Sequence, residues 1–436
     1  MRRLLYCFCG ILLLLTVSRA GSHPADLIVT LKAGQGIGNL NRENGTQTIG
    51  RIENTSIYLL RIDEDDDDAE KVLKKIKRDK RVESAEFNTR IRLSAGAVPS
   101  NLSASLVQSA MDLLDGNART TFYGTNVLRA YADQPALDLT RINQVRTLSA
   151  GAATRVAYID TGVDPDHPAL KPWVEAGVDL VRGRSASEMD GLGQSMMDLL
   201  EQSCMDVLDG RFDFILNRLA GASSFPGAFG HGTMVAGLIH IAAPQARIYP
   251  IKAFDAAGTT SMFLLVRGVY AAIDADADVL NMSFSTQEDS EAFHKAVDVA
   301  RAAAIQLVAA VGNEGRDAQG RYPAGYTGVY GVAATDLDDK VASFSNYGKD
   351  VSVTAPGAFV VSTAPGGHYA IGWGTSFSAP LVAGSMALLA STRARGQSDG
   401  TLVINNADSV DAKNPGFEKK LGKGRINLQR AFKVNR

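Results

Sequence analysis

The sequence predicts an α/β fold, a parallel sheet with helices on both faces, preceded by a small α+β module. Three observations carry that expectation. From Ala152 to Ala390, short β-rich apolar runs alternate with Ala-rich helical stretches, as in a parallel sheet covered on both faces. Residues 26–93 instead set strand patterns around one short charged helix. Between the two lies a stretch that begins rich in Ser, Asn, Ala and Gly.

The chain of 436 residues, 45% hydrophobic and 21% charged, has the composition of a globular protein of two or three domains. A net charge of −2 gives no basis for broad affinity toward nucleic acid or anionic membranes. At the N-terminus Arg2-Arg3 precede an apolar run from Leu4 to Val17, and Ser18-Arg19-Ala20 offers a small-x-small cleavage pattern. Residues 1–20 therefore read as a signal peptide, and the product as secreted or periplasmic. The run is too short to span a bilayer comfortably, and no later stretch would do so. Cys7 and Cys9 leave with the signal, so Cys204 remains alone and no intramolecular disulfide is expected.

Along the chain, Leu27–Leu31 and Ser56–Ile62 are strand patterns separated by a turn region with Gly34, Gly36 and Gly38. The acidic run from Asp63 to Asp68 precedes a lysine-rich helix over Ala69–Lys80, with Val72, Leu73 and Ile76 on one face. Acid first and base last is the arrangement the helix dipole favours, so the run reads as a solvated helix entrance rather than a metal site. Glu86–Leu93 is expected to close the module, 21–93, as a strand. Residues 94–136 are a connector, and 137–436 the main domain. Its strands include Arg155–Ile159, Arg247–Lys252, Val279–Ser283 and Ile305–Ala310. An insert at about 183–228 holds two octads, Gln194–Glu201 and Gln202–Asp209, with a third copy at Gln108–Asp115. As helix, Met196, Leu200, Cys204 and Leu208 form one stripe. The octads are either an ordinary surface helix or a tether pairing connector with insert.

The chemistry centres on Gly372–Pro380, a glycine turn feeding a helix, with Ser376 at its start. There the unpaired N–H groups and the dipole favour an anion. A serine needs a base to act as a nucleophile, and otherwise it is simply a helix cap. Of six histidines, His231 stands out, set between Gly230 and Gly232 at a helix start. Asp160 ends the apolar strand Val156–Ile159 and fits a buried partner for an imidazole. Asn313, between Gly312 and Gly315 after a strand, offers an amide donor for an oxyanion.

In this order, Tyr158-Ile159-Asp160-Thr161-Gly162-Val163, Gly230-His231-Gly232-Thr233, Val311-Gly312-Asn313-Glu314-Gly315 and Gly374-Thr375-Ser376 with Pro380 resemble the motifs of the subtilisin-like serine peptidases. The resemblance runs from about Leu137 to the C-terminus. It implies Ser376 as nucleophile, His231 as base, Asp160 as its orienter and Asn313 as oxyanion donor. Asn281–Ser285 looks like the segment that pairs its backbone with an extended substrate strand, so Ser283, Phe284 and Ser285, with Gly312, are expected to bind substrate. Met234 stands where the family often has a second histidine, and Ser285 replaces the usual glycine.

Residues 21–93 resemble the family's N-terminal prodomains, which assist folding and inhibit the enzyme until removed. The resemblance thus implies an exported, self-processing serine endopeptidase whose partners are polypeptide substrates and its own prodomain. No nucleic acid or transmembrane segment is involved. An inactive peptide-binding protein on the same fold, or a dedicated maturation protease, is the alternative. No zinc or nucleotide pattern occurs; calcium is common in the family, but no loop identifies a site and no cofactor is assigned.

Overall fold

The computed structural model describes residues 26–63, 69–93, 118–182, 186–187, 228–392 and 400–434. The N-terminal apolar segment, most of the acidic run, the three octads and all three cysteines lie outside them. The chain divides into two compact units between Phe87 and Asn88.

The first unit consists of β1 (Asp26–Leu31), α1 (Ile37–Asn44), β2 (Thr46–Arg51), β3 (Ile57–Ile62), α2 (Ala69–Lys77) and β4 (Val82–Phe87). Its antiparallel sheet has the order β2-β3-β1-β4. Leu27, Val29 and Leu31 of β1 are buried with Leu40 of α1 and Val72, Leu73 and Ile76 of α2. Spacing by one and four residues gives α2 its single apolar face. Glu70 in its first turn and Lys74, Lys75 and Lys77 in its last complement the dipole.

The second unit begins with β5 (Arg90–Arg92), so the single strand expected over Glu86–Leu93 is two, each in a different sheet. Next come β6 (Arg119–Phe122), β7 (Thr125–Leu128), α3 (Arg129–Ala132), α4 (Pro135–Leu139) and α5 (Ile142–Val145). Tyr123 and Gly124, at φ 46° and 86°, make the two-residue turn of the β6–β7 hairpin. Phe122, Val127, Leu128 and Tyr131 are buried in the core, and Tyr131 Oη donates to the Gly237 carbonyl at 2.7 Å. Packed structure therefore starts well before Leu137. A short polar hairpin has too little apolar periodicity to show in the sequence.

The main sheet is built from β8 (Arg155–Asp160), β9 (Val178–Asp179), then, after α6 (His231–Ala242), β10 (Arg247–Lys252). β11 (Thr259–Ser261) and α7 (Met262–Asp274) lead to β12 (Val279–Met282), α8 (Glu291–Ala302), β13 (Gln306–Ala310), β14 (Val329–Thr335) and β15 (Val353–Pro356). The hairpin β16 (Ala358–Ala364) and β17 (His368–Trp373) precedes α9 (Thr375–Ala390), α10 (Thr401–Asn405) and α11 (Leu428–Val434). The seven strands are parallel in the order β15-β14-β13-β12-β8-β10-β9.

Alternation along β8 separates the two faces of this sheet. Val156 and Tyr158 join the core formed with α6 and α9. Ile159 faces α7, so closely that a Cβ on Gly268 would lie 2.9 Å from its Cδ1. All sixteen residues of α9 are buried, which is why its sequence is apolar on every side. β5 pairs antiparallel with β11, from Thr259 opposite Arg92 to Ser261 opposite Arg90.

Candidate active site

β8 lies between β10 and β12, where the strand order reverses direction, and loops at the carboxyl ends of such strands form a crevice. Asp160 is the last residue of β8 and is 1% exposed. Its Oδ1 accepts from Thr161 N at 2.8 Å and lies 2.7 Å from His231 Nδ1. That contact turns the other ring nitrogen, Nε2, away from the carboxylate.

His231 is placed by its two glycines. Gly230, at φ 85°, makes the bend into α6. Gly232 sits against the loop after Asp160, where a Cβ would fall 2.1 Å from the Gly162 carbonyl oxygen, and its N–H donates to Thr161 Oγ1 at 3.0 Å. No other residue fits there. The imidazole also rests on Phe377 of α9, with ring centroids 5.5 Å apart.

Asn313 follows β13 through Gly312, at φ 104°. Its Oδ1 accepts from Thr375 N at 2.8 Å and Thr375 Oγ1 at 2.9 Å, which leaves Nδ2 as the outward donor. Thr375 Oγ1 in turn accepts from Gly312 N at 3.2 Å. The amide is thus held at the N-terminus of α9, one residue before Ser376.

Ser376 is bound twice to Ser283, which follows β12. Its Oγ donates to the Ser283 carbonyl at 3.0 Å, and its own carbonyl accepts from Ser283 Oγ at 2.8 Å. The second bond has a reason in the sequence. Helical residue i donates to the carbonyl of i−4, and Pro380 has no N–H to give Ser376. Ser283 Oγ supplies the missing donor and is itself anchored by Asn281 Nδ2 at 2.8 Å.

The structure pairs Asp160 with His231 and sets Asn313, Ser376 and Ser283 together at the N-terminus of α9, where the Phe377 ring meets the imidazole. Phe284 is different: its ring is 3% exposed and packs between Phe254 and Phe293, at 5.4 and 6.3 Å between centroids. In an extended segment adjacent side chains face opposite ways, so only the Phe284 backbone is available to a substrate. Ser285 points back toward Gly312: a Cβ on Gly312 would lie 2.8 Å from Ser285 Oγ. Thr375, which holds Asn313, and Pro380, whose missing N–H leaves the Ser376 carbonyl to Ser283, belong to the serine motif without a role read for either from sequence; a proline inside a helix is the signal for the second.

Two further histidines lie deep in this unit. His167 Nε2 is 2.8 Å from the His368 carbonyl, and burial lowers its pKa to about 4. Burial lowers that of His240, in the last turn of α6, to about 3. Among the described residues no group of three or more His, Cys, Asp or Glu is placed to hold a metal ion. No helix among them is long and apolar enough to cross a membrane.

Comparison with known proteins agrees with this geometry. The Subtilase family profile matches residues 151–424, and that of the fervidolysin N-terminal prodomain matches residues 24–88. Thermitase of Thermoactinomyces vulgaris is 31% identical over 288 residues, 66% of this chain and 91% of that protein. Subtilisin DY of Bacillus licheniformis is 33% identical over 296 residues, 64% of this chain and 91% of that protein. The minor extracellular protease Epr of Bacillus subtilis is 40% identical over 176 residues, 38% of this chain but 27% of that longer protein. A parallel sheet with the expected residues at its carboxyl ends, an N-terminal prodomain and these relatives lead to one assignment: the chain belongs to the subtilase family of serine peptidases.

Proposed function

We propose that the protein is a serine endopeptidase that cleaves polypeptides through an acyl-enzyme, with Asp160, His231 and Ser376 as its triad. The observation that carries this reading is the 2.7 Å contact of His231 Nδ1 with buried Asp160, beside a serine at the N-terminus of a buried helix. In the reaction Ser376 Oγ leaves the Ser283 carbonyl, passes its proton to His231 Nε2 and attacks the scissile carbonyl carbon. The imidazolium so formed is stabilised by Asp160 and returns the proton to the leaving amine. Negative charge on the substrate oxygen is met by Asn313 Nδ2 and the Ser376 N–H, donors fixed before the reaction begins. Water then repeats the sequence on the ester.

Synthesis as a precursor is part of this proposal. The segment following the prodomain, Arg90–Arg92, lies extended along β11, which supports a chain that passes over the enzyme before being cut. The cut is placed in the connector between Leu93 and Leu137. Export rests on the pattern of residues 1–20, and one relative is named as extracellular.

Labelling with a fluorophosphonate tests the core of the reading. The purified protein should label and hydrolyse casein. Ser376→Ala should do neither, losing about 10⁴- to 10⁶-fold in turnover, and should accumulate as uncut precursor. Near-normal hydrolysis by pure Ser376→Ala would remove Ser376 from the mechanism.

A further inference from the structure

Beside Asn313 lies a cluster of charged side chains that the reaction does not use. Thr286 and Tyr322 exchange backbone hydrogen bonds, each of 2.8 Å, which sets Arg321 alongside the Ser283–Ser285 segment. The Arg321 side chain is 8% exposed, and its Nη2 lies 3.2 Å from Glu314 Oε1. With the Gln287 amide oxygen facing the guanidiniums, it accepts from Arg321 Nη2 at 3.1 Å and Arg316 Nη2 at 2.6 Å. Behind Gly312 the polar groups converge. A Cβ there would lie 2.6 Å from Asn346 Nδ2 and 2.8 Å from both Glu314 Oε2 and Ser285 Oγ.

The charges of this cluster do not cancel. Two guanidiniums, Arg321 and Arg316, face one carboxylate, Glu314. Asp289 is engaged with Tyr322 Oη at 3.1 Å, and Asp317 caps Gln319 N at 2.9 Å. Arg321 meets both Glu314 and Gln287 through Nη2, and among the described residues the buried Ser285 Oγ has no hydrogen-bond partner. Burial lowers the Arg321 pKa while Glu314 raises it, the mark of a desolvated cation only partly compensated.

From the peptidase reading of this site we infer that Arg321 sets its specificity, receiving with Ser285 an acidic side chain on the substrate residue before the scissile bond. That residue's carbonyl lies between Asn313 and Ser376, so its side chain enters between the 283–285 and 312–314 segments. A glutamate there supplies the partner that the Ser285 hydroxyl lacks and a second carboxylate for the guanidinium, in the charge-assisted geometry arginine favours. A lysine would meet like charge. An apolar side chain would bury the cation further without adding an acceptor to it.

The test uses tetrapeptide anilides that differ only in the residue before the anilide: Glu, Gln, Phe or Lys. Rates are normalised to sites titrated with fluorophosphonate. The expected result is kcat/KM for Glu above that for Gln and Phe by roughly 10- to 100-fold, with Lys lowest. Arg321→Ala should abolish the preference. Glu314→Gln removes the competing carboxylate and should raise the Glu-over-Phe ratio severalfold, and it decides the matter if Arg321→Ala does not fold. Equal rates for Glu and Phe in the wild type, or an unchanged ratio in Glu314→Gln, would overturn the role of Arg321. Absence of both labelling and turnover would instead overturn the peptidase reading beneath it.

Discussion

The two ends of α6 carry the same side chain in opposite circumstances. His231 opens the helix, 19% exposed, with a carboxylate 2.7 Å from its ring. His240, in the last turn, is fully buried, stacks on Trp173 at 6.0 Å and meets Phe122 edge-on at 5.5 Å. Among the described residues neither of its ring nitrogens has a hydrogen-bond partner. The difference lies in what each end of the helix is packed against. The first end abuts the carboxyl ends of strands, where glycines admit backbone groups and polar side chains. The second is enclosed by aromatic rings and two other positive or protonatable groups, Arg146 and His167. The imidazole is paired with a carboxylate at one end of the helix and held neutral at the other.

The largest way to break this contrast is to remove each ring in turn. His231→Ala should cost about 10⁴-fold or more in kcat, because the base and its orienting carboxylate act as one unit. His240→Phe should leave kcat at pH 8 within a factor of two or three. Active-site titration followed by kcat on one peptide substrate measures both. A comparable loss in the two variants would mean that the far end of α6 governs the near end, and the distinction would fall.

A second experiment sharpens the same comparison through pH. The folded-state pKa values of His240 and His167, about 3 and about 4, lie below the ordinary histidine value near 6.5. Below that ordinary value the unfolded chain takes up protons that the folded chain refuses, so stability falls as pH falls through 6.5 toward 3. Each group contributes a slope of up to about 1.4 kcal/mol per pH unit. His240→Phe should flatten the pH dependence of the urea midpoint between pH 6 and pH 4 by about one proton's worth. The Ser376→Ala background keeps the protein from digesting itself. Parallel curves for the two proteins would show that His240 does not resist protonation.

How much of this could be read in advance divides along physical lines. Asp160, His231, Asn313 and Ser376 were legible because each sits in a local pattern, a strand end or helix start punctuated by glycine. The alternation of strand and helix announced the parallel sheet in the same way. What failed to show depends on contacts distant in sequence. Nothing near Arg321 indicates that it reaches Glu314, and nothing near His240 names Trp173 as its neighbour. The backbone role read for Asn281–Ser285 leaves open where each side chain goes, and the Phe284 ring packs into the core between Phe254 and Phe293. The β6–β7 hairpin was hidden by its polar residues.

The smallest expected effect concerns the exchange between Ser283 and α9. Ser283→Ala removes the Oγ that donates to the Ser376 carbonyl and accepts from Asn281 Nδ2. The carbonyl then has no donor, since Pro380 cannot supply one, and the buried Asn281 amide loses an acceptor. The cost should be about 1–3 kcal/mol of stability. It should fall mainly there rather than in kcat, because the Ser283 backbone carbonyl that receives Ser376 Oγ is untouched. Pro380→Ala restores an N–H to the i−4 carbonyl and should recover part of the loss when combined with Ser283→Ala. The coupling in that double-mutant cycle isolates the Ser376 carbonyl from the Asn281 amide, because only the former gains a new donor. If the two substitutions were simply additive in urea unfolding, the Ser376 carbonyl would not be what Ser283 serves, and the Asn281 contact would account for the cost.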